Sequence, residues 1–162
     1  MNADKIPSSV DRCRAAAEVA GVDVEICEFP DGTKTAQDAA DAVGCSVAQI
    51  VKSMIFEADG EVVLALTSGA NQVDPAKLAE LADASACGGA NPDQVRTSTG
   101  YAIGGVSPFG HLQPVRTWID PHLLTFDVVW VAAGTPRHVF AVPSQQLLAT
   151  TRAVVADFCP TP

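Results

Sequence analysis

Positive charge is scarce in this chain: 10 Lys and Arg stand against 19 Asp and Glu in 162 residues, a formal net charge of −9. That excludes broad, sequence-independent binding along a nucleic acid, which rests on Lys and Arg facing phosphates. A locally positive cleft that takes only the end of a nucleic acid stays open, because a cleft can carry its own field on an acidic protein. Cysteine pairing motifs are missing too. The five cysteines, at 13, 27, 45, 87 and 159, form no CxxC and are odd in number, which argues against a disulfide framework or a zinc site. Idle or buried thiols in a reducing compartment are the simpler reading. The three histidines, 111, 122 and 138, lack short-range ligand spacing, so no metal is expected. Long apolar runs are absent: VVLAL and VVWVAA fall far below the ~20 residues of a membrane helix. The opening MNADKIPSSVDR has no apolar stretch after its first charge, so no signal peptide is expected and a cytoplasmic protein is. Neither GxGxxG, GxxxxGK[ST] nor GxSxG occurs, which leaves a dinucleotide fold, a P-loop and a nucleophile elbow unsupported. Repeats, linkers and low-complexity blocks are absent as well.

What is present suits one α/β domain over 1–162, with a core at about 22–150. Apolar residues make up 48%, mostly Ala, Val and Leu, with only 6% aromatic. Ser8 or Ser9 caps a helix over about 10–20, which Gly21 ends. VDVEICEF (22–29) alternates like a strand, and FPDGTK turns. Thr35 caps a second helix with Asp38 at the capping-box position and Gly44 beyond its last turn. Ser46 caps a short turn through Ile50. KSMIFEA and EVVLALT are strands joined by Asp59-Gly60, a strong hairpin signal. Asp74-Pro75 and Asn91-Pro92 each open a helix, with the proline at its first position. VRTWID, FDVVWVAAG and HVFAVP are strands, the last two central and paired about a turn at Gly134-Thr135-Pro136. Ser144 caps a last helix over 144–150, and residues 1–8 and the tail after Phe158 are loosely held. Two hairpins among intermixed helices predict a mixed, mainly antiparallel sheet with helices packed on it.

Two features carry chemistry. Lys52 lies in QIVKSMIF, where its neighbours are apolar apart from Ser53. Burying a bare ammonium is very costly, so Lys52 either reaches water at a strand end or meets an anion. From this residue alone the first is simpler. The stretch TGYAIGGVSPFGH (99–111) packs four glycines among groups that usually pack. Within it, Gly104-Gly105-Val106-Ser107-Pro108 either turns tightly between elements or exposes amides that bind a carbonyl oxygen or oxyanion. Ser107 and His111 are the tempting nucleophile–base pair, but the residues between them serve main-chain geometry better. Ala132 through Pro136 reads as an ordinary turn, and Asp74 and Asp120 read as caps.

These pieces, taken in order, resemble the YbaK family, relatives of the editing domain inserted in bacterial prolyl-tRNA synthetases. The similarity runs from about Thr35 to Leu148. It rests on Thr35-Ala36, Gln49 through Ser53, Leu66 through Gly69, Val73-Asp74, Thr99 through Pro108, Gly110-His111, Ile119-Asp120 and Ala132 through Pro136. The resemblance implies hydrolysis of the ester between a wrong amino acid and tRNA, most plausibly tRNA for proline, without cofactor or metal. It makes Lys52, Gly104 and Gly105 catalytic and sets Thr35, Ser68, Val106, Ser107, Pro108, His111, Gly134 and Thr135 against the substrate. Lys52 would hold the terminal nucleotide through its phosphate, Gly104 through Pro108 would lie against the aminoacyl group, and water or a substrate group would attack. The implied partners are the acceptor end of aminoacyl-tRNA and prolyl-tRNA synthetase. One departure weakens the expected tRNA contact: where close relatives often read Asn-Arg-Val-Asp, this chain has Asn71-Gln72-Val73-Asp74. Two rival readings are a catalytically silent binder of aminoacyl-tRNA or a synthetase, and a small-molecule hydrolase reusing the pocket.

Overall fold

The structure, a computed structural model, describes residues 8–29 and 35–160. Helix α1 (Ser8–Val19) turns Val10, Cys13 and Ala17 inward, a spacing that places all three on one face. It begins at Ser8, so Ser8 and Ser9 fall inside its first turn instead of capping it. The alternation in 22–29 marks burial more than pairing. Val22, Val24 and Ile26 pack on the core, but only Cys27–Glu28 (β1) joins a ladder. The expected FPDGTK turn and the expected loose start fall largely outside the described residues.

Local signals fix the next elements. Thr35 and Asp38 form a capping box for α2 (Ala36–Val43), and Gly44 ends it. Ser46 and Gln49 do the same for a 3-10 turn at Val47–Gln49. Strands β2 (Val51–Ala58) and β3 (Glu61–Ser68) pair antiparallel from Val51↔Ser68 to Ala58↔Glu61. Asp59 and Gly60 both take positive φ, 50° and 90°, as a tight hairpin requires. Asp74 caps α3 (Pro75–Leu81) and Asn91 caps α4 (Pro92–Thr99).

The remaining strands are β4 (Cys87–Gly89), β5 (Arg116–Ile119), β6 (Val128–Thr135), β7 (His138–Pro143) and β8 (Val154–Val155). They form two sheets. One runs β4-β2-β3-β5-β8, with β3, β5 and β8 parallel; the other is antiparallel, β1-β7-β6. β7 is central in its sheet, whereas β6 lies at an edge, touching the larger sheet through an Ile50–Trp130 bridge. Strand β3 is buried on both faces. Leu64 and Leu66 enter the main core with Val106, Phe109, Ile119 and Phe140, while Val63 and Ala65 pack with Leu78, Trp118 and Phe158. Each fully buried leucine or phenylalanine contributes about 1.5–3 kcal/mol.

Three details of the second half differ from expectation. Thr135 pairs with His138, so the β6–β7 turn is Pro136-Arg137, and Gly134 sits in a bulge at φ 103°. Helix α5 (Ser144–Thr151) has no side-chain cap; the Ser144 hydroxyl donates to the Phe126 carbonyl instead, at 2.5 Å. The chain after Phe158 is anchored at least as far as Cys159, whose carbonyl accepts from Lys77 Nζ at 2.7 Å. No helix among the described residues is long and apolar enough to cross a membrane.

Candidate active site

A cavity of about 490 Å³ opens where β2 faces β6 and β7, closed at its sides by α2 and by the glycine-rich loop. Ile50, Ile55, Val106, Trp130 and Val139 give it an apolar wall, and its polar residues are Thr35, Lys52, Ser53 and Thr135. Among the described residues, Lys52 is the one charged group in that wall.

Lys52 is half-buried, and its place is set from the next strand. Its Nζ donates to the Asn71 carbonyl at 2.5 Å. Asn71 follows β3 in a turn anchored by Asp120, at the end of β5 and only 3% exposed. The Asp120 carboxylate accepts from Ser68 N (3.1 Å), Asn71 Nδ2 (2.8 Å) and His122 N (2.9 Å). Asn71 Nδ2 also donates to His122 Nδ1 at 3.1 Å. Burial pulls the Lys52 pKa below the ordinary lysine value, and the Asp120 charge opposes that pull. The Cys159 thiol lies 3.7 Å from Asp120. Burial, then the carboxylate, push it up to about 11, so near pH 7 it is neutral and Asp120 is the anion Lys52 feels. An ammonium has three donors. Among the described residues Asn71 takes one and nothing takes the other two.

The loop after α4 brings Ile103, Gly104 and Val106 to the cavity. The Gly105 N–H closes a turn onto the Ala102 carbonyl at 3.0 Å, so the run of amides is not continuous. Among the described residues the Gly104 and Val106 N–H groups have no hydrogen-bond partner. Gly105 packs on the backbone of Thr135, where a Cβ would lie 2.6 Å from Cα. Helix α1 holds the loop from behind. Arg12 stacks 4.5 Å over the Tyr101 ring and donates from Nε to the Gly110 carbonyl at 3.2 Å, while the Tyr101 hydroxyl donates to the Phe109 carbonyl at 2.6 Å.

The structure thus gathers Lys52, Thr35, Gly104, Val106 and Thr135 around one cavity and places the other expected residues behind it. Thr35 spends its hydroxyl on the cap of α2. Ser68 is buried, donating to the Ala48 carbonyl at 2.8 Å. Ser107 is buried too, its Oγ accepting from the Cys13 thiol (3.0 Å) and the Phe109 N–H (3.1 Å). His111 donates from Nε2 to the Ser107 carbonyl at 2.7 Å, and burial holds its pKa low. The ring therefore meets a carbonyl, which is no arrangement for activating a serine. Pro108 and His111 line a separate hollow beyond the loop. Gly134 lies against α1, where a Cβ would meet the Ser9 carbonyl oxygen at 2.7 Å. Sequence reasoning saw Asp120 only as a cap and passed over Asn71 as a partner of Lys52. The signal was available in an Asp that ends an apolar strand, where a buried carboxylate needs several donors.

Comparison with known proteins identifies the family. A family model described as the aminoacyl-tRNA editing domain matches residues 30–150. A crystal structure of a candidate trans-editing enzyme for prolyl tRNA synthetase superposes with a TM-score of 0.90 at 40% identity, covering 97% of this chain and 100% of that one. The uncharacterized protein YwhH of Bacillus subtilis (strain 168) is 29% identical over 124 residues, 76% of this chain and 78% of its own length. The proline–tRNA ligase of Nitratidesulfovibrio vulgaris (strain DP4) is 33% identical over 110 residues, 67% of this chain, but that match spans only 19% of the ligase. By its motifs, its fold and a family match over most of its length, the chain belongs to the aminoacyl-tRNA editing domain family.

Proposed function

We propose that this protein is a deacylase acting in trans, which hydrolyses the ester of a mischarged aminoacyl-tRNA, in the first instance tRNA for proline. The observation that carries the reading is that Lys52, Gly104 and Val106 line one cavity. Lys52, with two donors left, would hold a phosphate of the terminal nucleotide. The amides of Gly104 and Val106 would take the ester carbonyl as it gains negative charge. The apolar wall would receive the amino-acid side chain. An ester is already activated, so holding it for attack by water supplies much of the rate.

Gln72 supports a modest tRNA contact. It is exposed beside Asn71, on the turn that moors Lys52, and brings no charge where the family resemblance implies an arginine. Additional hold on the substrate would then come from the tRNA-charging enzyme as partner, in the cytoplasm where charging occurs. The direct test is a deacylation screen over alanyl-, cysteinyl- and seryl-tRNA for proline. Turnover of at least one is expected, with no acyl adduct on Ser107 or any cysteine when excess protein is examined by mass spectrometry. Binding without turnover would make the protein a silent carrier and overturn the deacylase reading, and so would the absence of both binding and turnover.

A further inference from the structure

We infer that Arg12 is a positioning residue for the glycine-rich loop: one guanidinium on α1 fixes both ends of the stretch whose middle lines the cavity. The effect on turnover rests on the deacylase function above. From Gly100, which ends α4, to Val115 before β5 the chain has no helix or strand of its own. Ordering so long a connection costs conformational entropy that other contacts must offset. Arg12 supplies several of them. It is half-buried, its Nε donates to the Gly110 carbonyl at 3.2 Å, and its Nη2 donates to the Thr99 carbonyl at 3.5 Å. Between those two ends the guanidinium stacks 4.5 Å over the ring of Tyr101, which is 1% exposed. The Tyr101 hydroxyl extends the hold to the Phe109 carbonyl at 2.6 Å. Among the described residues no carboxylate pairs with Arg12, so its charge is spent on this loop.

The four glycines of the stretch divide along the same line. Gly100 and Gly110 take positive φ, 80° and 78°. A Cβ at Gly100 would lie 2.6 Å from Arg12 Nη2, and one at Gly110 would lie 2.7 Å from the Tyr101 hydroxyl. Both positions are bare where the guanidinium and the phenol come close. Gly104 and Gly105 lie between them, the first at the cavity and the second against Thr135. Pinning the ends restricts where that middle can go. A guanidinium suits the task because its planar, permanently charged fork holds two acceptors in one geometry. An ammonium on a flexible stem is a point charge without that fork. Cys13, next on the helix, adds a third hold through its bond to Ser107 Oγ at 3.0 Å. Arg12 precedes residues 30–150, so this hold comes from a helix outside the stretch that matches the family.

The test compares Arg12→Met and Arg12→Lys with the wild type in the full chain. Turnover is read on alanyl-, cysteinyl- and seryl-tRNA for proline, and loop position by the amide NMR signals of Gly104 and Val106. Methionine keeps an unbranched stem and removes the fork and the charge. A misplacement near 1 Å costs about 10²-fold in rate, so Arg12→Met should lower kcat by ~10²-fold. KM should change little, because Lys52 keeps its place. Arg12→Lys, which keeps the charge, should fall between the two. A role in stability alone would lower Tm and leave kcat untouched wherever the variant is folded. If Arg12→Met does not fold, Arg12→Lys carries the test, with lowered kcat and displaced Gly104 and Val106 signals expected. Wild-type kcat in every folded variant, a loss carried by KM instead of kcat, or Gly104 and Val106 signals at their wild-type positions would each overturn the assignment. A wild type inert toward all three tRNAs would overturn the deacylase reading alone, and the amide signals would still decide whether Arg12 sets the loop.

Discussion

Replacing Gly105 by alanine tests whether the glycine-rich loop owes its shape to the protein's own backbone. The added Cβ would lie 2.6, 2.8 and 2.9 Å from Cα, C and N of Thr135. Ordinary contact begins near 3.4 Å, so the nearest pair must separate by about 3.4 − 2.6 = 0.8 Å. All three neighbours are main-chain atoms of β6, beside the bulge at Gly134, and no rotamer relieves the clash. The loop gives way, and with it Gly104 and Val106 on the cavity wall. Overpacking of this kind costs about 1–3 kcal/mol. For a chain of this size each kcal/mol lowers Tm by roughly 2–4 °C, so a fall of about 2–12 °C is expected. A misplacement near 1 Å costs about 10²-fold in rate. Thermal denaturation followed by circular dichroism, and deacylation of the substrate found in the screen, read the two effects. Gly104→Ala is the comparator: its Cβ meets only Pro136 Cγ at 3.4 Å, and the cost is backbone strain at φ 92°, about 1–2 kcal/mol. If Gly105→Ala melts with the wild type, the loop does not depend on that close approach and the reasoning fails.

Lys52→Ala should keep the wild-type melting profile and lose deacylation; wild-type turnover by the folded variant would remove Lys52 from the site. Asp120→Asn turns an amide group toward donors that need an acceptor, so it should lower stability by about 1–3 kcal/mol in urea titration. It should also raise KM, because Asn71 and then Lys52 lose their anchor; an unchanged KM would separate Asp120 from the lysine. Cys159, with its pKa pushed up to about 11, should alkylate slowly at pH 8 and steadily faster toward pH 11. Rapid modification already at pH 7 would contradict its burial beside Asp120.

Much of the fold was legible because its signals are local. Thr35 with Asp38, Asp59 with Gly60 and Asn91 with Pro92 each fix a cap or a turn within four residues, and the structure keeps all three. What was not legible depends on partners far along the chain. Val22 through Ile26 alternate as a strand does, yet whether they pair depends on what lies alongside, and only Cys27 and Glu28 meet β7. β4 and β8 are too short to carry a period of their own. Ser144 has the chemistry of a cap, but Phe126, 18 residues earlier, offers its hydroxyl a carbonyl. The site divides the same way. Lys52 stands out as a charge among apolar neighbours. The partners that hold it, Asn71 and Asp120, lie 19 and 68 positions further on and converge only through the order of β2, β3 and β5. The several glycines of one loop look alike in sequence, yet Gly104 faces the cavity while Gly105 backs onto β6.

The cavity lies along the seam between two sheets that meet at the Ile50–Trp130 bridge. Its opposite walls therefore belong to separate ladders, each closed by its own hairpin. A smaller side chain at Trp130 enlarges the room for a ligand without disturbing the β2–β3 register that aims Lys52. A change at Ile55 likewise leaves the β6–β7 pairing intact. Under the proposed function, selectivity for a side chain and grip on the nucleotide would then drift independently. One scaffold could then be retuned to different amino acids by single substitutions along one edge.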